Sequence, residues 1–493
     1  MNAESLADQI IRKADELKSK RANFEKLWQE VSELVLPRKA DFTSVSPAGA
    51  SRGRKLFETT AVNAAETLAA GLHGLMTNPA GKWFSLTVPK FRDDPAVSKW
   101  TERAEQIVAD EIVRPTAGFA TNIHEVYLDL SVLGTAGLYV GWDEENNGLL
   151  FQSRFPGELF LEENAAGRVC GVYRVFKMTS DQIVKTWGKA ALPEKLAAMI
   201  DAGAGGEFEI VHAVVPDAFY GRGGAFDKKI SSVYVLKNER TVLFSGGFDE
   251  MPLFVARWGK ACAEVYGRSP AMSVLPDIKM IQEMMKETII AAQLANRPPL
   301  LVRDDDQFAP AATVPGGVIR YTGEAPKAFV SGADSGVGLE IMNEIRGRIR
   351  QAFYNDRLTT VDDARMTATE VLQRAEEKMR LLGPVFGRLQ TEMLSPMMAR
   401  VFGLLVRHGK MPLPAGVAFD DVKIDYVSPL SLAQKHLQAS AVMRTLELAQ
   451  GFLAIRPDAA SVFNVPAAIR KIGEMYGVGA ALFNAKKEEK DDE

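Results

Sequence analysis

The chain has 493 residues, of which 46% are hydrophobic and 25% charged, and a formal charge of −4. Such a length buries large cores and suggests roughly two to four domains. The negative balance argues against a protein that wraps nucleic acid tightly, which needs a surplus of Lys and Arg to displace counterions. Two cysteines far apart, Cys170 and Cys262, speak against a disulfide framework and suit a reducing compartment. No apolar run approaches the roughly 18 residues of a membrane span, and Met1-Asn2-Ala3-Glu4 opens no signal-peptide pattern, so the chain is expected in the cytoplasm.

In chain order, Leu6, Ile10, Ile11, Ala14, Leu17, Phe24, Leu27, Val31 and Leu34 make the stripe of an amphipathic helix over 4–35, which Pro37 stops. A Ser/Gly-rich loop over 41–53 ends in the basic residues Arg52, Arg54 and Lys55. Residues 58–76 read as a helix of mostly small side chains, which lets another helix come close. Gly71 and Gly74 sit late in it and follow no strand, so it is a poor dinucleotide-binding loop. A turn at 78–83 leads into a strand at 84–88, and helices follow near 95–112 and 119–133. Next come a hairpin of 137–142 with 149–155 about Glu145-Asn146-Asn147-Gly148, and a second over 158–177 about Asn164-Ala165-Ala166-Gly167. Short helices at 180–187 and 193–202 precede strands at 208–215, 231–237, 241–245 and 253–258. The first 260 or so residues thus read as an α+β body.

From Ser269 to His408 the pattern becomes helical. One helix carries Val274, Leu275, Ile278, Ile281, Met285, Ile289 and Ala292 at three-and-four spacing and stops at Asn296-Arg297-Pro298-Pro299. Residues 300–331, with Gly316-Gly317 and several prolines, read as short strands and turns. A second helix over 337–353 presents Ile341, Ile345, Ile349, Ala352 and Phe353. A polar loop over 355–366 leads to a T-x-x-E capping box at Thr367 and Glu370, which opens a helix apolar every three or four residues as far as Leu405. About 40 residues of helix give a rod on the order of 60 Å, bent at Pro384 and Pro396. A break at 411–414, a strand at 422–427, helices at 432–452 and 465–476 and a charged tail at 486–493 complete the chain.

Enzyme signatures are missing. The sequence has no G-x4-G-K-[ST] phosphate loop, no G-x-S-x-G turn and no H-E-x-x-H helix, and its five histidines show no metal-ligand spacing. Asp304-Asp305-Asp306 reads as a solvated corner rather than a Mg²⁺ site, and Asp362-Asp363 as a turn pair. No catalytic residue, cofactor or metal is expected.

Three stretches carry a family likeness: 58–76 with the following Pro79, Gly81, Trp83 and Phe84; Tyr266-Gly267-Arg268-Ser269-Pro270; and Met366-Thr367-Ala368-Thr369-Glu370-Val371. In this order, joined to the helix–insert–helix–loop–helix plan, they resemble the portal protein, or head-to-tail connector, of short-tailed, podovirus-type bacteriophages. The resemblance implies a mainly helical α+β portal fold. Its parts are a wing (1–268), a first stem helix (269–297), a clip (298–334) and a second stem helix (335–355). A tunnel loop (356–366), a long wing helix (367–410), a connection with a short strand (411–428) and crown helices with a charged tail (429–493) complete it.

It implies further a ring, usually of twelve copies, at one capsid vertex of the virion, assembled in the host cytoplasm. Double-stranded DNA would pass non-specifically through its channel. Terminase, a tail adaptor, and major capsid and scaffolding proteins would be its partners, with no membrane involved. On this plan Lys279, Lys286, Arg346 and Arg350 would line the stem channel. Arg357, Thr359, Thr360, Asp362, Asp363 and Arg365 would form the tunnel loop, with the arginines and threonines suited to phosphate oxygens. Leu300, Val302, Arg303, Val318 and Arg320 would serve the clip, in subunit and terminase or adaptor contacts, its strand edges pairing in a closed ring. The competing readings are another connector ring such as a tail adaptor, usually a much shorter chain, and a packaging enzyme, which would need the phosphate loop or acidic metal cluster.

Overall fold

Helix α1 (Leu6–Val35) begins where Ser5 Oγ accepts the Asp8 backbone N–H at 3.2 Å. The computed structural model describes residues 5–47, 49–78, 81, 83–91, 94–201, 205–220, 228–296, 300–301, 327–328, 335–358, 382–427, 438–448 and 464–476. The 30-residue α1 serves two cores. Its first half lays Ala7, Ile10, Ala14 and Leu17 on a sheet face made by Tyr173, Val211, Ala213, Val215, Val233 and Val235. Its second half sends Trp28, Val31 and Val35 into the main core. Between them the buried Arg21 donates to the carbonyls of Pro156, Gly157 and Leu159 and to Glu25, with its guanidinium 3.8 Å from the Phe160 ring centre.

The main core is built on α2 (Thr60–Met76) and α4 (Phe119–Leu133). Ala61, Ala64, Ala65 and Ala69 are all buried, which supplies the close approach expected of a small-residue helix. Asp94 caps α3 (Pro95–Val113), accepting from the Ala96 amide at 2.8 Å. Strand β1 (Phe84–Thr87) pairs with a strand from far along the chain, Lys423–Tyr426. Asp129, on α4, is buried against Lys39 (2.6 Å) of the turn that ends α1; burial pushes its carboxyl up to about 6, with Lys39 opposing.

Strands β2 (Thr135–Asp143), β3 (Gly148–Arg154) and β9 (Leu253–Arg257) form an antiparallel sheet in the order β3-β2-β9. Strands β4 (Leu159–Glu163), β5 (Val169–Thr179), β6 (Glu207–Pro216), β7 (Ile230–Leu236) and β8 (Thr241–Phe248) form an antiparallel meander in chain order. Helices α5 (Ser180–Trp187) and α6 (Glu194–Asp201) cover one end of its second face through Ile183 and Leu196, against Ile210, Leu236 and Leu243.

The helix expected to run unbroken from Ser269 is two pieces, α7 (Pro270–Ser273) and α8 (Leu275–Asn296). The break lies at Val274, because Pro276 lacks an amide hydrogen and crowds the residue before it. Helix α9 (Ser335–Ala352) packs beside α8, with Ile278, Ile281, Met342, Ile345 and Ile349 between or beneath them. Tyr354, at φ 58°, ends it in the left-handed region. Residues 355–358, read from sequence as loop, instead form one helical turn, α10 (Asn355–Leu358), since Leu358 has an apolar seat to fill on α2.

The long helix is described over 382–407, and its opening, with the Thr367–Glu370 capping box, lies outside the described residues. At Gln390–Leu394 its hydrogen bonding widens to a π-turn just before Pro396, which cannot donate into the ordinary ladder. Arg400 bonds this helix to Val140 O (2.8 Å) and Glu250 O (3.0 Å), so it is clamped to β2 and to the β8–β9 connection. Two further helices are described, at 438–448 and Val465–Tyr476.

Candidate functional site

No group of three or more His, Cys, Asp or Glu among the described residues is placed to hold a metal, and no described helix is long and apolar enough to cross a membrane. The feature that organises the rest is the α8–α9 pair and the way its base is fastened.

Two glycines set the geometry there. Gly134, at φ 72°, turns the chain from α4 into β2, and a Cβ on it would stand 2.5 Å from Gly267 O; a Cβ on Gly267 would stand 2.1 Å from Gly134 O. The backbones touch, and neither position has room for a side chain. Around this contact Gly267 N–H donates to Thr135 Oγ1 (2.8 Å), Arg268 N–H to Gly259 O (2.7 Å) and Ser269 Oγ to Val132 O (2.7 Å), while Ser269 also accepts from Met272 N–H and starts α7. The Tyr266–Pro270 stretch singled out in the sequence is therefore a fastener between body and helix pair.

A second fastener went unread in the sequence. Gln282, buried on α8, accepts from the Phe57 and Glu58 amides (2.7 and 3.0 Å) and donates to Glu58 O (2.6 Å). Glu58 in turn accepts from the Thr60 amide at the start of α2 and from Arg346 Nε of α9 (3.2 Å). The sequence signal was a single polar residue beside Ile278 and Ile281 on an otherwise apolar stripe. Leu358 completes the base: a Cβ on Gly71 of α2 would meet its Cδ1 at 2.9 Å.

Beyond the base, the described residues leave the pair part-exposed. Ile289 and Ile290 of α8 are 39% and 38% exposed, and Leu339 and Ile341 of α9 are 50% and 41% exposed, among the described residues. Met280 is also half exposed. Ile289 and Ile341 are both stripe positions in the sequence, yet neither is buried among the described residues.

Of the residues expected to line the stem, Lys279 pairs with Glu30 of α1, and Lys286 with Glu283 on its own helix (2.8 Å), which raises the lysine. Arg346 is turned to Glu58 and Asn343, and Arg350 is exposed. Arg348, not singled out in the sequence, reaches Asp277 across the pair at 3.4 Å. Leu300 lies in a two-residue strand, β10 (Leu300–Leu301), paired within the chain to β11 (Lys327–Ala328), a strand the sequence reading did not place. Arg357 lies in α10. Val302, Arg303, Val318, Arg320, Thr359, Thr360, Asp362, Asp363 and Arg365 lie outside the described residues.

The family model described as "Bacteriophage head to tail connecting protein" matches residues 7–483. The chain is 28% identical to the "Probable portal protein" of Bordetella phage BPP-1, over 96% of this chain and 88% of that one. It is 26% identical to the "Portal protein" of Salmonella phage epsilon15, over 97% and 89%. Solved structures similar to it include a chain in the neck of an empty gene transfer agent particle (11% identity, TM-score 0.41, 83% of this chain and 89% of that one) and one in a native gene transfer agent virion (12%, 0.37, 84% and 89%).

Proposed function

This chain belongs to the family of bacteriophage head-to-tail connecting proteins, and from that premise we propose that it is a portal: a ring of copies at one capsid vertex through which DNA is packaged and ejected. It is a structural connector, not an enzyme. The observation that carries the ring is the α8–α9 pair, firmly fastened at its base yet with Ile289, Ile290, Leu339 and Ile341 part-exposed among the described residues. Side-by-side copies of the pair would cover these residues and enclose a channel, and the usual number of copies in the resembled family is twelve. In this reading 1–268 is the wing, α8 and α9 are the stem, 298–334 the clip and 429–493 the crown. Terminase and a tail adaptor dock at the clip end.

The stem presents balanced charge: Lys286 sits beside Glu283, and Lys279 is tied to Glu30. With −4 per chain, a ring repels DNA on average, which favours sliding contact that is weak, salt-sensitive and blind to sequence. Direct contact falls to the 356–366 loop, through Arg357 and Arg365 with Thr359 and Thr360 bonding phosphate oxygens; its first residues belong to the α10 turn that Leu358 seats against α2. Replacing 356–366 by a short Gly/Ser linker should leave rings intact under the microscope and impair DNA packaging or retention. Wild-type packaging by that variant would refute the assignment.

A further inference from the structure

Arg154 closes β3, opposite Gly137 of β2, and its guanidinium lies 5.2 Å from the ring centre of Tyr139, on the same strand pair. Its one side-chain hydrogen bond among the described residues goes to the neutral Gln152 amide oxygen. Facing it from the five-stranded sheet is a cross-strand row in which Arg174 is opposite His212 and His212 opposite Tyr234. The His212 and Tyr234 rings are stacked 3.7 Å apart, and Tyr234 leads on to Phe244 at 6.2 Å, which is 47% exposed. Arg174 holds the local carboxylate, Glu158, through Nε at 2.8 Å.

Two guanidinium groups thus share one carboxylate, leaving a surplus positive charge in a partly desolvated place. Burial pushes Arg154 down to about 10, and Arg174 adds to the effect. Four other buried or half-buried arginines among the described residues are matched: Arg21 with Glu25, Arg257 with Glu163 and Glu392, Arg346 with Glu58, Arg400 with Glu250. A guanidinium taken part-way out of water without a counter-ion is unfavourable, and a matching carboxylate recovers that cost.

We propose that the face carrying Tyr139, Arg154, Arg174, Tyr234 and Phe244 is an interface for a second copy of this chain, which delivers a carboxylate to Arg154. Arg, Tyr and Phe around a partly dry centre are the residues on which protein interfaces concentrate their energy. DNA fits less well: phosphate recognition gathers several cations along a strand, whereas this patch has one charge to spare and the chain is net acidic. A copy of the chain, with 63 Asp and Glu against 59 Lys and Arg, has carboxylates in excess. In a ring, one patch on each copy meets a different surface of the next, so the acid and Arg154 need not lie near each other in one chain. The inference rests on the ring reading.

The test compares full-length wild type, Arg154→Gln and Arg154→Lys by sedimentation at physiological and high salt, with melting temperatures of the unassembled chains. Arg154→Gln should associate at least about thirtyfold more weakly, as for loss of one partner of a buried charge pair. Its monomer should melt no lower than wild type, because an unpaired cation has been removed, and Arg154→Lys should keep most of the assembly. Arg154→Gln rings as abundant as wild type would overturn the inference alone. So would a destabilised Arg154→Gln monomer, which would make Arg154 an internal strut, or normal rings that retain less DNA, which would make phosphate the occupant. A wild type that forms no ring would overturn the ring reading and this inference together.

Discussion

Replacing Glu392 by Ala should destabilise the folded chain by about 3 kcal/mol, the order of loss seen when one member of a buried ion pair is removed. Glu392 lies in the π-turn of the long helix and accepts three donors of Arg257: the backbone N–H (3.0 Å), Nε (3.1 Å) and Nη2 (2.6 Å). Arg257 is 2% exposed, so water cannot replace that carboxylate. Glu163 stays on Nη1 and the Val265 and Gly167 carbonyls remain acceptors, which limits the loss. Glu392→Gln keeps an acceptor for the Arg257 amide and should lose less than Ala. Denaturant unfolding of the three chains measures this; an Ala variant within about 0.5 kcal/mol of wild type, the range of an ordinary surface substitution, would show that the π-turn is not held by this pair.

Replacing Ile289 and Leu339 together by Glu should do the opposite: leave the single chain stable and abolish assembly. Both residues are already 39% and 50% exposed, so the charges remain hydrated in one chain and the unfolding midpoint should move little. In a closed stem the same positions face a neighbouring copy, where burying unpaired carboxylates costs several kcal/mol at each interface, multiplied around the circle. Ile345→Glu, at a fully buried neighbour on the same helix, is the control that should unfold the chain itself. Assembly of the double variant at wild-type concentration would mean that this end of the pair does not make the ring contacts.

The local elements were legible in the sequence because their signals are local. The α4 range, 119–133, and the hairpin turns at Asn147 and Gly167 follow from periodicity and turn chemistry that a short window contains. The break at Val274 had its cause in view at Pro276, but seven apolar positions in register outweighed it. What could not be read was long-range pairing: nothing in Phe84–Thr87 names Lys423–Tyr426 as its partner across more than three hundred residues. Nor does periodicity say what covers a stripe. Ile281 and Ile289 look alike in sequence, but the body covers the first and leaves the second bare. Gln282 carries no local signal for the same reason, since its value lies in Glu58, which only the fold brings to it.

The most direct measurement is electron microscopy of the purified chain, alone and with added major capsid and scaffolding proteins. The expected image is a toothed annulus with a central hole, wide enough for duplex DNA. A well-behaved monomer that closes into no ring under either condition would contradict the claim that the uncovered faces of α8 and α9 are shaped for one another.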